Sequence, residues 1–303
     1  MAMTQRCGIG SWQRGVWATC AAGALAGALA WVEPVAGDSV ILNPCKDNTV
    51  IQNTQGEVSN GAGEGIFSGR TGTFGGQLRQ RAVLSFNLSN IPPGSTITDV
   101  SLTLMLLQTV SGGQTHTLNR LLADWGESTS ATTAGNGAPP ERGDVTWTYR
   151  FFPNSTMLWN TLGGDYSATP SATQTVSVAG VDYTWNSPQM IGDVQGWVNN
   201  PSGNFGWILL GNEFALATSK KFASREWDIV AQRPRLAITY IPAAACPGDV
   251  NANHVVNIDD LLAVINSWGP CANSCGCPAD IDHSGTINID DLLAVINHWG
   301  TCP

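Results

Sequence analysis

Positive charge is scarce in this sequence of 303 residues. Lys and Arg together number 14 against 23 Asp and Glu, and the formal net charge is −9. Proteins that bind nucleic acids cluster basic residues against the phosphates, so this composition argues against a nucleic-acid partner. Charged residues of both signs make up only 12% of the chain and hydrophobic residues 43%. The protein is therefore expected to be globular, and its length leaves room for more than one domain.

The components of nucleophilic catalysis are also missing. Residues 38–241 contain a single histidine, His116, with no Gly-x-Ser-x-Gly motif and no Cys/His pair, so a catalytic triad cannot be assembled from them. A hydrolase or lyase with paired carboxylates stays open as an alternative. Acidic residues beside Gly, Trp and Ser more often cap turns or pair with Arg, which favours a non-catalytic protein. The acidic residues considered are Asp124, Glu127, Asp144, Asp165, Asp193, Glu213 and Glu226.

The N-terminus has a short apolar run that is not long enough for a full membrane span. Arg6 and Arg14 precede an Ala-rich stretch that ends in Ala28-Leu29-Ala30, a pattern typical of a secretory signal peptide. An uncleaved N-terminal anchor is the alternative. Cys20 has no convincing lipobox before it, so lipoprotein attachment is not expected. We predict a signal peptide over residues 1–36 and a secreted protein that does not span a membrane once processed.

Residues 38–242 show no long helical periodicity but many short apolar runs between Gly, Pro, Asn and Ser. Such a pattern predicts a mainly β domain, a sandwich or a barrel. An Ala-rich linker over residues 243–245 separates this domain from residues 246–303. The candidate strands include 82–86, 99–104, 205–210 and 235–240.

Residues 246–303 contain an internal repeat, DVNANHVVNIDDLLAVINSWG followed by DIDHSGTINIDDLLAVINHWG. Oxygen-bearing residues at alternate positions match a calcium loop of the EF-hand type, in which positions 1, 3, 5, 7, 9 and 12 converge on the ion. The predicted ligands are Asp249, Asn251, Asn253, Val255, Asn257 and Asp260 in loop one, and Asp280, Asp282, Ser284, Thr286, Asn288 and Asp291 in loop two.

The two loops are not expected to bind calcium equally. Loop two offers three carboxylates and Gly285 at the sharp turn, whereas loop one offers two carboxylates and places His254 at the turn. We therefore predict two calcium sites, of which the second binds more tightly. At position 8, Val256 and Ile287 are expected to point inward.

An apolar stripe at helical spacing follows each loop, and it predicts a helix that packs against its counterpart. Gly269 and Gly300 are expected to end these helices. The stripes consist of Leu261, Leu262, Val264, Ile265 and Trp268, and of Leu292, Leu293, Val295, Ile296 and Trp299.

Of the 8 cysteines, Cys7 and Cys20 lie in the predicted signal peptide. Export favours disulfides for the others. Cys246 to Cys271 and Cys277 to Cys302 have the same separation, so each bridge is predicted to join the start of one repeat to its end. Cys45 and Cys275 have no counterparts and either pair with each other or stay free. A zinc site is not expected, because four ligands in regular pairs are missing.

Several longer stretches of the β domain carry a family resemblance. SNGAGEGIFSGRTG, LRQRAVLSFNLSNIPPGSTITDVSLTL, ADWGES, IGDVQGWVNNPSGNFGWILLGNE and KFASREWDIVAQRPRLAITY occur in this order. They resemble the DNRLRE family of secreted bacterial domains, related to alginate-binding carbohydrate-binding modules. The resemblance implies a jelly-roll β-sandwich outside a bacterial cell, with an acidic polysaccharide as one kind of ligand and no general enzymatic activity.

A polysaccharide site would use exposed aromatic rings, and an acidic glycan would also need cations. Trp125 and Trp159 lie in Gly-, Ser- and Asp-rich surroundings and are the candidates for exposed rings, whereas Trp207 is expected in the core. An internal ion pair is the alternative role for Arg225. The candidate cations are Arg70, Arg79, Arg81, Lys220, Lys221 and Arg225.

The repeat resembles a type I dockerin with cysteines. In such a domain the calcium loop is duplicated, one helix follows each loop, and position 12 of each loop is Asp rather than Glu. This resemblance implies a small α domain of two F-hand loop–helix units, and attachment to a cohesin or to a cell-surface receptor. Loop positions 10 and 11, Ile258-Asp259 and Ile289-Asp290, are identical between the copies, which would let a partner bind either copy. A structural or adhesive matrix protein without sugar binding and, less favoured, a polysaccharide-degrading enzyme are the alternatives.

Overall fold

The structure, a computed structural model, describes residues 37–243, 246–251, 253, 255–271, 277–282 and 284–302. The predicted signal peptide, residues 244–245 of the predicted linker, His254 and Cys275 lie outside the described residues. Within the described ranges, no helix is both long and apolar enough to cross a membrane.

The larger part of the described chain is a mainly β domain, as predicted. Its eleven strands form one antiparallel sheet, and each of the four predicted stretches falls on one of these strands. The strands are β1 Asp38–Leu42, β2 Lys46–Ile51, β3 Gly65–Arg70, β4 Arg79–Ser85, β5 Thr96–Thr109, β6 Gln114–Arg120, β7 Ala172–Val176, β8 Val181–Asn186, β9 Trp207–Leu210, β10 Lys220–Ala223 and β11 Arg235–Ile241.

The sheet follows the order β1-β11-β5-β10-β3-β4-β9-β6-β7, with β2 paired to β4 and β8 paired to β5. Both β2 and β3 bond to β4: β2 along residues 46–51 and β3 only at Gly69 and Arg70. The sheet curls, because strands from all along this order contribute to one apolar core. This core contains Leu84 from β4, Leu102 from β5, Trp185 from β8 and Phe222 from β10.

A second apolar core lies on the other face of β4 and β9. Val83 and Ile208 point into it, whereas their neighbours Leu84 and Leu209 point into the first core, as expected from the alternation of side chains along a strand. Its cover is the long segment between β6 and β7, which contributes Leu121, Trp125, Val145, Trp147 and Trp159. The segment therefore forms a second layer of the domain.

One helix of the β domain was missed by the sequence analysis. Helix α1, Pro188–Asn199, packs against β5 and buries Met190, Val194 and Trp197, spaced at one face of a helix. The hydroxyl of Ser187 accepts a hydrogen bond from the Met190 amide at 3.1 Å, and Pro188 occupies the first turn. Both features are ordinary start signals of a helix.

The described residues of the repeat domain contain two helices, each followed by a two-residue strand. Helix α2 spans Ile258–Asn266 and α3 spans Ile289–Asn297, and the two helices pack against each other. Both end before the predicted glycines, because Ser267 and His298 are their C-caps, while Gly269 and Gly300 belong to the short strands. These strands are β12 Val255–Val256, β13 Gly269–Pro270, β14 Thr286–Ile287 and β15 Gly300–Thr301.

Candidate calcium loops and surface sites

The carboxylate at position 12 organises each loop. Asp260 is fully buried, and its Oδ1 accepts hydrogen bonds from the amides of Val250 at 2.9 Å and Asn251 at 3.1 Å, while its Oδ2 accepts the Asn257 amide at 2.9 Å. Asp291 is equally buried and holds loop two by the same three positions. Its partners are the amides of Ile281 at 2.6 Å, Asp282 at 3.3 Å and Asn288 at 2.9 Å.

In each loop, the side chains at positions 1 and 3 both accept a hydrogen bond from the backbone amide at position 5. In loop two, the Ser284 amide donates to Asp280 Oδ1 and Asp282 Oδ1, at 3.0 Å each. In loop one, the Asn253 amide donates to Asp249 Oδ1 at 3.0 Å and Asn251 Oδ1 at 3.1 Å. The side-chain oxygens at these positions therefore converge in both copies, although loop one has an amide where loop two has an acid.

Loop two gathers its three acids. One oxygen each from Asp280, Asp282 and Asp291 lies within 4.8 Å of the others. Calcium is bound by oxygens at about 2.3–2.6 Å, so oxygens around one ion lie at such mutual distances, and the residues fit the ion. Gly285 at position 6 has φ +84°, a left-handed conformation that glycine adopts without strain. The assignment of each predicted ligand stays a prediction.

Position 9 has a second role in the structure. Asn257 and Asn288 are the N-caps of α2 and α3, and each forms a capping box with the acid at position 12. Their side-chain oxygens accept hydrogen bonds from the amides of Asp259 at 2.6 Å and Asp290 at 2.7 Å. Each loop and the helix after it are therefore joined by one hydrogen-bond network.

The predicted disulfides Cys246–Cys271 and Cys277–Cys302 are wrong. The structure has Cys246–Cys302 and Cys271–Cys277, with Cα separations of 5.5 Å and 6.0 Å. The reason is the pairing of the short strands: β12 of the first copy bonds to β15 at the end of the second, and β13 bonds to β14. The repeats therefore cross, and the start of each lies beside the end of the other.

A small core joins the two copies. Val256 and Ile287 at position 8 point into it, as predicted, together with Val264, Val295 and Ala279. Leu261, Leu292 and the four disulfide cysteines pack around this core. The crossing of the repeats thus produces a single core for both loops.

Much of the apolar stripe on the helices is exposed, which corrects the expectation that it packs helix against helix. Ile258 and Ile289 are 52% and 53% exposed, and Asp259 and Asp290 beside them also face solvent. Trp268 and Trp299 are exposed beyond the helix ends. We call the exposed apolar side chains the helix faces; they are Ile258, Leu262 and Ile265 on α2 and Ile289, Leu293 and Ile296 on α3.

The domain therefore has two acidic loops, a helix after each loop, and one small core that both copies share. This arrangement is typical of a duplicated calcium-loop domain. Residues 247–300 match the family model of the dockerin type I domain. The match covers both loops and both helices, so the C-terminal domain is a dockerin, a calcium-binding class found in extracellular and cell-surface proteins. The chain as a whole has no significant match among curated proteins.

In the β domain, Trp125 and Trp159 do not form the exposed sugar platform expected of them. They are 0% and 4% exposed, and their indole N–H groups donate to the carbonyls of Phe205 at 2.9 Å and Thr146 at 3.0 Å. Their Gly- and Ser-rich surroundings belong to the covering segment, whose inner side is a core. Trp207 is buried as predicted.

Two of the predicted cations are also committed to internal contacts. Lys220 is buried, and its Nζ donates to Thr109 Oγ1 at 2.6 Å and the Gly112 carbonyl at 3.1 Å; burial lowers its pKa. Arg81 is buried and forms a bidentate pair with Glu213 at 2.6 Å and 2.9 Å. Neither side chain is therefore available to bind a carboxylate of a ligand.

Arg70 and Arg79 remain available at one end of the sheet. They are directly opposite each other on β3 and β4, so both side chains lie on one face. Among the described residues, none makes a hydrogen bond or ion pair with the Arg79 guanidinium or with Arg70 Nη2. This end of the sheet therefore presents two neighbouring cations.

Two exposed aromatic residues flank Arg70, and the sequence analysis missed both. Arg70 Nε donates to the Gln77 carbonyl at 3.1 Å and Nη1 to the Phe214 carbonyl at 3.3 Å, so two loops are held beside it. Phe74 and Phe214 on these loops are almost fully exposed. Their short, Gly- and Ala-rich contexts, TFGG and EFAL, were the available signal. We call Arg70, Arg79, Phe74 and Phe214 the Arg–Phe surface.

Cys45 is an exposed free thiol. Lys221 Nζ lies over the rings of Phe67 and Trp227, at 5.9 Å and 6.0 Å from their centroids. Arg225, another of the candidate cations, lies in an acidic cluster. Its Nε contacts Glu127 at 2.9 Å and Glu226 at 2.8 Å, which is the internal pairing considered as its alternative role.

Proposed function

We propose that this is a secreted, non-catalytic protein whose dockerin binds two calcium ions, the second more tightly, and attaches to a cohesin. Its β domain, of jelly-roll type, binds an acidic extracellular polysaccharide. The two F-hand units provide the calcium-dependent attachment, and the β domain provides recognition.

The attachment is supported by the two helix faces. Six aliphatic side chains on α2 and α3 are exposed in a domain this small, and such exposed apolar patches usually mark interaction sites. The faces carry identical sequences, IDDLLAVIN, so a partner that fits one face fits the other. This duplication is the observation that carries the docking function.

Polysaccharide binding is supported by the Arg–Phe surface. Exposed aromatic rings stack on the apolar faces of sugars, and a guanidinium can donate two parallel hydrogen bonds to a carboxylate. Among the described residues, the Arg79 guanidinium and Arg70 Nη2 have no partner, and the exposed Phe74 and Phe214 lie on the two loops that bond to Arg70. The arrangement therefore fits a uronic-acid polymer better than a neutral glycan.

The absence of catalysis is supported by what most of the considered acids contact. Asp144 accepts amide hydrogen bonds from Ser128 and Glu141 at 2.8 Å each, and Asp193 accepts the Trp207 indole N–H at 3.0 Å. Asp165 accepts the amides of Asn160 at 2.9 Å and Thr161 at 2.7 Å, which fixes a turn. Glu213 pairs with Arg81 and Asp124 with Lys46 at 2.5 Å. Each of these acids has a structural role.

Docking can be tested with purified type I cohesins immobilised in calcium or in chelator. The full chain should be retained in calcium only. The double variant Ile258→Asp/Leu262→Asp in α2 removes one of two equivalent binding modes, so it should weaken binding about twofold. The quadruple variant, which adds Ile289→Asp and Leu293→Asp in α3, should abolish binding. Retention that is insensitive to chelator, or to all four substitutions, would exclude this function.

Glycan binding can be tested on an array with uronic-acid polymers, neutral glycans and sulfated glycans. Selective binding to uronic-acid polymers supports the proposal. No binding to any glycan would favour the structural or adhesive alternative. Release of soluble products from the same polymers would show that the protein is a degrading enzyme.

A further inference from the structure

A group of three acids lies inside the β domain, away from the dockerin loops. Asp47 is on β2, Glu127 is in the covering segment between β6 and β7, and Glu226 is in the turn after β10. One carboxylate oxygen of each lies within 4.8 Å of the others. Residues this far apart in sequence are brought together by the fold, with Asp47 opposite Leu84 of β4.

Arg225 contacts all three acids, and among the described residues no other cation forms an ion pair with them. The Arg225 guanidinium contacts Glu127 at 2.9 Å and Glu226 at 2.8 Å through the same Nε, and the Arg225 amide donates to Asp47 Oδ2 at 2.8 Å. When all three acids are ionised, the cluster has an excess of two negative charges. A divalent cation has the charge that balances this excess.

The cluster also has oxygens without partners. Asp47 is 0% exposed, and among the described residues none donates a hydrogen bond to its Oδ1. Glu226 Oε2 is buried and, within the same described ranges, lacks a partner too. A buried ionised oxygen is costly unless a donor or a cation compensates it.

We propose that Asp47, Glu127 and Glu226 bind a calcium ion within the β domain. The three ligands are all carboxylate oxygens, with no sulfur or imidazole in the group, and such hard ligands select calcium or magnesium over transition metals. Calcium fits better than magnesium, because calcium accepts irregular geometry and magnesium demands a near-ideal octahedron. The ion would join β2, the covering segment and the turn after β10.

The test counts calcium on the full chain. The protein is stripped with chelator and dialysed against calcium, and bound calcium per chain is measured by elemental analysis alongside a calorimetric titration. Asp47→Asn removes one charge with little change in shape, and Asp182→Asn is the matched control, because Asp182 makes an exposed ion pair with Arg235. Asp47→Asn should bind one calcium fewer than the wild type, whereas Asp182→Asn should bind the same number.

A second variant keeps the test decisive if Asp47→Asn does not fold. Glu226 is partly exposed, so Glu226→Gln should fold, and it should weaken one site at least tenfold. The proposal is overturned if folded Asp47→Asn and Glu226→Gln both keep the wild-type count and affinities. Cohesin binding in calcium is measured on the same samples, so failure of this site is distinguishable from failure of the dockerin.

Discussion

Cys246 and Cys302, the first and last cysteines of the dockerin, are bonded to each other with their Cα atoms 5.5 Å apart. Between them lie both calcium loops and both helices. The bond is possible because the strand after α3, Gly300–Thr301, pairs with the strand of loop one, Val255–Val256. The domain is therefore closed by covalent attachment of its two ends, and each loop depends on the other copy for its position.

Removal of the two disulfides should have unequal effects. Cys246–Cys302 closes a sequence separation of 56 residues and Cys271–Cys277 one of 6. In the chain-entropy account a longer loop gives more stabilisation, so we expect a loss of about 4 kcal/mol for Cys246→Ser/Cys302→Ser and about 2 kcal/mol for Cys271→Ser/Cys277→Ser. Urea unfolding in saturating calcium, followed by helical circular dichroism, measures both. Peptide mapping that finds Cys246 bonded to Cys271 would contradict the assignment.

Exchange of position 3 should reverse the order of the calcium sites. Asp282 and Asn251 occupy equivalent positions, and each accepts the position-5 amide, so Asp282→Asn and Asn251→Asp change charge and keep this hydrogen bond. Because calcium affinity follows the ligand charge, loop two should weaken and loop one strengthen, each on the order of tenfold.

Calorimetry of the single variants and the double exchange measures this effect. Ser284→Ala at position 5 of loop two is a useful comparison, since it removes a neutral ligand and should weaken only loop two. Two sites that stay equal in wild type and in both exchanges would disprove the difference between the loops.

The local features of this protein could be read from its sequence. The calcium loops are short contiguous motifs, and their conformation is fixed by hydrogen bonds within each loop, such as those from Asp260 and Asp291 to nearby amides. The predicted strands likewise follow from alternation within a few residues. The strands and the inward position-8 side chains, which depend on neighbours along the chain, were predicted correctly. Helix α1 was missed, although Ser187 and Pro188 are local start signals.

Three other features that the sequence did not reveal depend on distant parts of the chain. The disulfides followed from a crossing of the repeats that equal cysteine spacing does not reveal. Trp125 and Trp159 were expected to be exposed because their neighbours are small and polar, but the segment that contains them covers β4 and β9. The group of Asp47, Glu127 and Glu226 joins three segments that are remote in sequence, and no sequence pattern predicts it.

Substitutions in the Arg–Phe surface and in the second core should separate binding from stability. Phe74→Ala and Arg79→Gln alter exposed or half-exposed side chains, so unfolding free energy should change by less than about 0.5 kcal/mol while affinity for alginate falls. Trp125→Ala should lower stability by about 3–5 kcal/mol, because it empties part of a core. Equal alginate binding by wild type and Phe74→Ala/Arg79→Gln, measured by affinity electrophoresis, would remove the Arg–Phe surface as the site.

Acidification should destabilise the β domain through His116. This residue is buried on β6, its ring lies edge-on to Phe222, and burial is the main cause that lowers its pKa from 6.5 to about 4, with the charge of Lys220 acting in the same direction. Between these pH values the unfolded chain binds a proton that the folded domain does not, so unfolding becomes more favourable as the pH falls. The contribution of His116 to the free energy of unfolding should fall by about 1.4 kcal/mol per pH unit, about 3 kcal/mol in all, and it is fully retained above pH 6.5.

The contribution of His116 is isolated by difference, because the buried acids also titrate in this range. His116→Gln cannot take up the proton, so its stability should fall less steeply than that of wild type between pH 6.5 and 4. His298→Gln, an exposed change in the dockerin, is the matched control and should follow the wild-type slope. Denaturant unfolding of the β domain, followed by tryptophan fluorescence at each pH, gives the three slopes. Parallel slopes for wild type and His116→Gln would mean that His116 takes up its proton equally in both states, and would overturn the prediction.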